Sequence, residues 1–226
     1  GPPGCGKTTL VNSYLEIRKI PCLWYQIEEA DADAATFLYY VGQAERRAGG
    51  REQEPLPLLT PEYLQGVATF ARRYFENLYR RLNPPGVIVL DNYHNVAGEP
   101  SIQEIIVQAL SAIPEGLNFI FISRSDPPPA LLRLQADQRM ETLGWDKLRF
   151  TLEETGEIVR LRNKKMLDKK EIVGWHKAAD GWIAGLMLRC GRGLWKIRRS
   201  NRPETLFPRR RLRIPQRRSS TGRGKG

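Results

Sequence analysis

Gly1, Gly6, Lys7 and Thr8 stand at the spacing G-x-x-x-x-G-K-[ST] within the opening stretch GPPGCGKTT. Each residue type has a task in phosphate chemistry. Glycines let the backbone curl into a nest whose N–H groups converge on anionic oxygens. A helix that begins at such a loop turns its positive end toward the same anion. Lys7 supplies a point charge for β- and γ-phosphates, and the Thr8 hydroxyl supplies a ligand for Mg²⁺. Thr9 is a further contact, to an α-phosphate. The nine residues Gly1, Pro2, Pro3, Gly4, Cys5, Gly6, Lys7, Thr8 and Thr9 are therefore a candidate site for the phosphates of ATP or ADP with Mg²⁺. The bland alternative is a glycine-rich turn that merely joins a strand to a helix. A loop of this kind is fed by a strand, expected ahead of Gly1, so the sequence reads as a fragment.

A metal-assisted phosphate site also needs an acid. The run Val87-Ile88-Val89-Leu90 ends in Asp91, where a carboxylate at the tip of a buried strand can share Mg²⁺ with Thr8 through water. Taken alone, an acid at a strand end is as readily a turn cap. Asn92 follows, in the position where many hydrolytic P-loop enzymes carry a second acid that polarises the attacking water. An amide cannot accept that proton, so strong hydrolysis is not expected. Arg124, at the end of the next apolar run, is a candidate γ-phosphate contact; a surface arginine is the alternative. Lys7, Asp91 and Arg124 are thus the candidate catalytic set, and Thr8 and Asp91 the metal set. The acids Glu28, Glu29, Asp31 and Asp33 read as a solvated loop. His94 reads as a packing or hydrogen-bonding residue, and the set Trp175, Trp182 and Ile183 as core. Neither histidine has a paired ligand set.

These groups need a scaffold. Leu10, Val11, Tyr14, Leu15 and Ile17 recur at helical spacing after the loop. Pro21 stops that helix, and residues 22–27 read as a short buried strand. Asp31 and Asp33 are candidate caps for a helix carrying Phe37, Leu38 and Val41. A stronger helix is expected to start at Thr60-Pro61, with an apolar stripe of Leu64, Val67, Ala71, Tyr74, Leu78 and Leu82. Residues 87–91 and 117–123 read as buried parallel strands, with a helix over 102–113 between them. A short helix is expected around 131–134 and an edge strand within 140–150. Thr151 and Glu154 form a capping box for the helix carrying Ile158 and Leu161. Two short helices follow, over 172–179 and 180–190. The strand–helix alternation predicts an α/β fold, a parallel sheet flanked by helices, over 1–150, followed by a helical segment over 151–190.

The chain has 226 residues, 41% of them apolar, and a formal charge of +11. Residues 191–226 hold thirteen of the 36 bases against the single acid Glu204, so the rest of the chain is nearly neutral. The basicity therefore says nothing of the α/β region's own partner. With seven apolar residues, the 191–226 tail is expected to be disordered, and a non-native reading frame is the preferred explanation for it. No apolar run approaches the ~18 residues of a membrane helix. Cys5, Cys22 and Cys190 form neither a disulfide framework nor a zinc site, and a cytoplasmic location is the default.

The motifs GPPGCGKTTL, WYQIEEADAD, VIVLDNYH, FIFISRSDPP and DGWIAGL, in this order, resemble those of the MalT-like signal-transduction ATPases. These are the STAND class of P-loop NTPases at the front of large LuxR-type transcriptional activators. The resemblance covers about residues 1–190. It implies an ATP/ADP-operated switch that self-associates in the full-length protein and contacts DNA only through a domain not present here. It also implies that Gly1–Thr9 binds phosphate, Asp91 serves Mg²⁺ and Arg124 is the sensor arginine. Asn92 departs from the family's acidic pair. Two other classes share single features: a small-molecule or nucleoside kinase shares the loop, and a nucleic-acid binder would use the basic tail.

Overall fold

The computed structural model describes residues 1–49, 54–162 and 168–189. The expectations for Cys190 and the 191–226 tail, and for the side chain of Leu64, lie outside what it describes. Element order is α1 (Lys7–Arg18), β1 (Cys22–Gln26), α2 (Ala34–Arg47), α3 (Val67–Arg81), β2 (Gly86–Asp91), α4 (Pro100–Ser111), β3 (Leu117–Ile122), α5 (Pro129–Ala136), α6 (Trp145–Leu148), α7 (Leu152–Arg162), α8 (Lys169–Ala179) and α9 (Ile183–Arg189).

The three strands form one parallel sheet in the order β1-β2-β3. Trp24 pairs with Val89 and Val89 with Ile120, and Asp91 closes the register opposite Gln26 and Ile122. Every residue of β2 is buried, which is why Val87–Leu90 is apolar without alternation. β3 is less covered than its sequence predicts. Only Leu117 and Ile122 are buried and Asn118 is exposed, because β3 is an edge of the described sheet.

The two faces of the sheet are unequal. On one, α2, α3 and α4 pack a continuous core through Phe37, Leu38, Val41, Tyr74, Phe75, Leu78, Ile102 and Ile105. The Tyr79 hydroxyl donates to the Ala109 carbonyl at 2.7 Å and ties α3 to α4. On the other face, α1 contributes Leu15 to a small cluster with Val87, Val89 and Ile122. Val11 packs half-buried against this cluster, but Leu10, Tyr14 and Ile17 of the predicted α1 stripe are exposed.

Several local expectations change. The segment after Thr60 is a 3₁₀ turn, Pro61–Gly66, and α3 begins only at Val67 with Gly66 as its cap. The Thr60 hydroxyl bonds Glu62 instead of a backbone N–H, so it does not start an α-helix. The edge strand expected in 140–150 is absent. Gly144 instead opens the single turn α6, and the described sheet of β1, β2 and β3 does not take the segment up as a strand. The Thr151–Glu154 capping box forms, with the Thr151 N–H donating to Glu154 at 2.8 Å. The buried side of α7 is Thr155 and Val159, while Leu161 is exposed. At the end of α3 the Arg81 side chain is buried against Glu45 at 3.8 Å. Among the described residues no helix is long and apolar enough to cross a membrane.

Candidate functional site

The loop curls because two of its glycines take backbone conformations that other residues rarely adopt. Gly4 has φ +71° and Gly6 φ +88°, the latter immediately before α1. The first turn of α1 therefore points its N–H groups into the concavity. Lys7 folds back over this loop. Its Nζ donates to the Gly1 carbonyl at 2.8 Å and the Pro2 carbonyl at 3.0 Å, and reaches Cys5 Sγ at 3.4 Å. The Cys5 side chain is itself buried.

β2 delivers Asp91 to the same place. The Thr8 hydroxyl lies 3.2 Å from both carboxylate oxygens, a contact across 83 residues of chain. The Asn92 N–H also donates to Asp91 Oδ1 at 3.0 Å, and Asp91 is 4% exposed. Asn92 reaches this position through a left-handed backbone, φ +62°, a conformation that asparagine tolerates better than most residues. Parallel register brings the end of β3 alongside. Ser123 and the exposed Arg124 follow Ile122, and the Gly1 nitrogen lies 3.5 Å from the Arg124 carbonyl.

A cavity of about 1170 Å³ is lined by Pro3–Thr9, Asp91 and Arg124 together. Of the sequence-predicted site residues, only Gly1 and Pro2 do not line it; they take part through the carbonyls that hold Lys7. The volume exceeds the upper end of ordinary small-molecule pockets, ~300–1,000 Å³. Among the described residues no cluster of three or more His, Cys, Asp or Glu is placed to hold a metal. A hydroxyl and one carboxylate suit a cation that keeps most of its water, as Mg²⁺ does.

Two expectations about neighbouring residues are corrected, Asp31 in a solvated loop and Trp182 with Ile183 in the core, while the cap expected of Asp33 forms. Asp31 is not part of a solvated loop: it is buried and accepts the Glu28 N–H at 2.7 Å, while Asp33 caps α2 through the Thr36 N–H at 2.8 Å. Both acids are spent on backbone groups that would otherwise lack partners. The segment containing Trp182 and Ile183 is not central core. The Trp182 indole N–H donates to the Pro3 carbonyl at 2.9 Å, and Ile183, Ala184, Met187 and Leu188 line the cavity. Residues 146–151 form another part of its wall. No spacing in the sequence links either segment to the loop. His94 also lines the cavity. Burial pushes its pKa below the ordinary imidazole value, and the positive charges of Arg124 and Lys7 add to this, partly offset by Asp91. Beside it, burial pushes the Tyr93 phenol up to about 12, so it stays neutral.

Gly4 lies close against α9. A Cβ there would sit 2.9 Å from the Ala184 Cβ, in a backbone conformation that costs a side-chain-bearing residue about 1–2 kcal/mol. Gly4→Ala is expected to lift α9 from the loop and speed amide hydrogen exchange over residues 183–189. Unchanged exchange there would show that the contact does not hold α9.

Comparison with known proteins agrees with the motifs. No family model matches the chain. It is 27% identical over 189 residues to the HTH-type transcriptional regulator MalT of Serratia proteamaculans, covering 83% of this chain and 20% of that protein. The MalT regulators of Yersinia enterocolitica and Yersinia pestis are 26% and 25% identical over the same lengths. The chain thus spans about a fifth of the length of the curated relatives it matches. It is, over most of its residues, a MalT-like sequence.

Proposed function

We propose that this chain is the P-loop nucleotide-binding domain of a MalT-like regulator, an ATP/ADP-operated switch whose hydrolysis is slow. The observation that carries this reading is the Thr8–Asp91 contact. A hydroxyl at the start of α1 and a carboxylate at the end of β2 meet symmetrically at 3.2 Å beside a loop curled by Gly4 and Gly6. The donor set fits a nucleotide. The Lys7 ammonium is met in the loop by two carbonyls and a sulfur, contacts that phosphate oxygens replace with stronger, charge-assisted ones. The loop N–H groups and α1 then hold the phosphates, Thr8 and Asp91 hold Mg²⁺ and its waters, and Arg124 faces the terminal phosphate. Bound Mg²⁺ supplies charge neutralisation across the β- and γ-phosphates.

In this reading the surrounding protein supplies self-association and a separate DNA-binding domain, and the molecule acts in the cytoplasm. A kinase has less support. Of the arginines on α3, Arg72 pairs with Glu76 and Arg80 with Asn77 on the helix surface, and Arg81 is buried with Glu45; none lines the cavity.

The test is equilibrium binding of fluorescent ADP and ATP with and without Mg²⁺. Wild type is expected to bind more tightly with Mg²⁺. Thr8→Val is expected to lose that gain, on the order of tenfold or about 1.4 kcal/mol, while keeping metal-free binding. A wild type that binds no nucleotide, or is indifferent to Mg²⁺, overturns the reading.

A further inference from the structure

We infer that His94 is the proton acceptor for a water attacking the terminal phosphate of a nucleoside triphosphate held on the Gly1–Thr9 loop. This rests on the nucleotide-binding reading above and deepens it, by naming the group that does what Asn92 cannot.

Three observations lead there. First, the position after Asp91 carries an amide, which has no lone pair basic enough to take a proton from water. Asp91 itself is engaged by the Thr8 hydroxyl and the Asn92 N–H. Second, His94 lines the same cavity as Lys7, Thr8, Asp91 and Arg124. Its Nδ1 is buried and meets no hydrogen-bond partner among the described residues. A buried polar atom without a partner is uncommon in a folded protein, and a turn of the ring into the cavity that His94 lines would let a ligand or water complete it. The other histidine shows the contrast: His176 Nδ1 shares a hydrogen bond with the Thr155 hydroxyl at 2.9 Å. Third, the turn that carries His94 is anchored on both sides. The Tyr93 ring packs on Phe121 with centroids 4.9 Å apart, and the Asn95 amide donates to the Ile27 carbonyl at 3.2 Å. A base is useful only if held in place, and this turn is fixed at once to β3 and to Ile27, the residue that follows β1.

The charges facing His94 favour its role. Lys7 from the loop and Arg124 from the end of β3 oppose a proton on the ring, and Asp91 from β2 only partly offsets them. The ring is therefore neutral, with a lone pair, near pH 7. The step is hydrolysis. The water oxygen forms a bond to the γ-phosphorus, and the bond from that phosphorus to the bridging oxygen breaks. Its electron pair leaves on the diphosphate, and the water's proton passes to the imidazole and then to solvent. Nucleoside diphosphate and inorganic phosphate are the products.

Two measurements on the full 226-residue chain test this. In the first, phosphate release from ATP is measured for wild type, His94→Ala and His94→Gln, with nucleotide affinity measured on the same samples. Both variants are expected to bind ATP as wild type does and to hydrolyse it ~100-fold more slowly, the usual size of a lost general base. Asn92→Asp placed in the His94→Gln background restores an acceptor and is expected to recover at least ~10-fold. In the second, ring resonances are followed by NMR; the chain has two histidines, so one variant assigns both. A non-hydrolysable triphosphate is expected to shift the His94 ring and ADP to leave it nearly unmoved, with His176 as the internal reference. Hydrolysis unaffected by either substitution, or a His94 ring blind to the triphosphate, overturns the inference. So does a wild type that binds ATP without hydrolysing it. A wild type that binds no nucleotide is a different failure: it removes the nucleotide-binding reading, and this role of His94 with it.

Discussion

Lys7→Ala is expected to lower affinity for ADP and ATP by on the order of 10- to 100-fold. The Lys7 ammonium folds over the loop itself, within 3.0 Å of the Gly1 and Pro2 carbonyls. Hydrogen bonds to charged groups contribute about 1.5–3 kcal/mol each, and each 1.4 kcal/mol is a factor of ten in affinity. The substitution removes that charge and leaves the loop glycines, Thr8 and Asp91 in place. The loop's own contacts with Lys7 end on carbonyls that water can satisfy, so the midpoint of urea unfolding without nucleotide is expected to stay within about 0.5 kcal/mol of wild type, as for an ordinary surface change. Titration of labelled ADP into both proteins decides the matter. Equal affinities would mean that nucleotide, if bound, is not held at this loop.

The largest expected loss of stability comes from Phe75→Ala, about 3–5 kcal/mol. Phe75 is 1% exposed and its ring meets three others, those of Tyr74 at 5.4 Å, Tyr79 at 5.9 Å and Phe119 at 6.4 Å. It joins α3 to β3 through Phe119. Truncation leaves a cavity that neighbours in a parallel sheet cannot collapse to fill, because β2 and β3 are held by their ladder. With a native stability of 5–15 kcal/mol typical of domains, such a loss leaves a marginal protein. Urea unfolding is expected to show a lower midpoint at unchanged slope. A shift under about 1 kcal/mol would place Phe75 outside the cooperative core.

The scaffold of the site was legible in the sequence because its signals are local. Val87–Leu90 reads as a doubly buried strand since consecutive apolar residues have nowhere else to go in an α/β layer. Phe37, Leu38 and Val41 lie on one side of α2 as their spacing requires, and all three are buried. The Thr151–Glu154 box formed because its partners are three residues apart. The misreadings share one cause, dependence on distant neighbours. Leu10, Tyr14 and Ile17 have helical spacing, yet all three stay exposed outside the core. Residues 140–150 carry strand-compatible side chains, yet no sheet edge receives them. Asp31 looks like any loop acid until β1 and α2 fold around it.

The candidate site divides in the same way. Gly1, Gly6, Lys7 and Thr8 announce phosphate chemistry because that chemistry needs fixed residue types at fixed short intervals, and a single loop can supply them. The end of an apolar strand marks Asp91 for a similar reason. No interval in the chain says that Asp91 will stop 3.2 Å from Thr8, that His94 will line the same cavity, or that Trp182 will close on Pro3 at 2.9 Å. Parallel register set the first two, by stopping β2 and β3 at the level where α1 begins. The packing of α7, α8 and α9 set the third. Local sequence determines which groups exist and on what kind of element; only the long-range hydrogen bonds and core contacts, made between residues up to 179 positions apart, decide which of those groups meet.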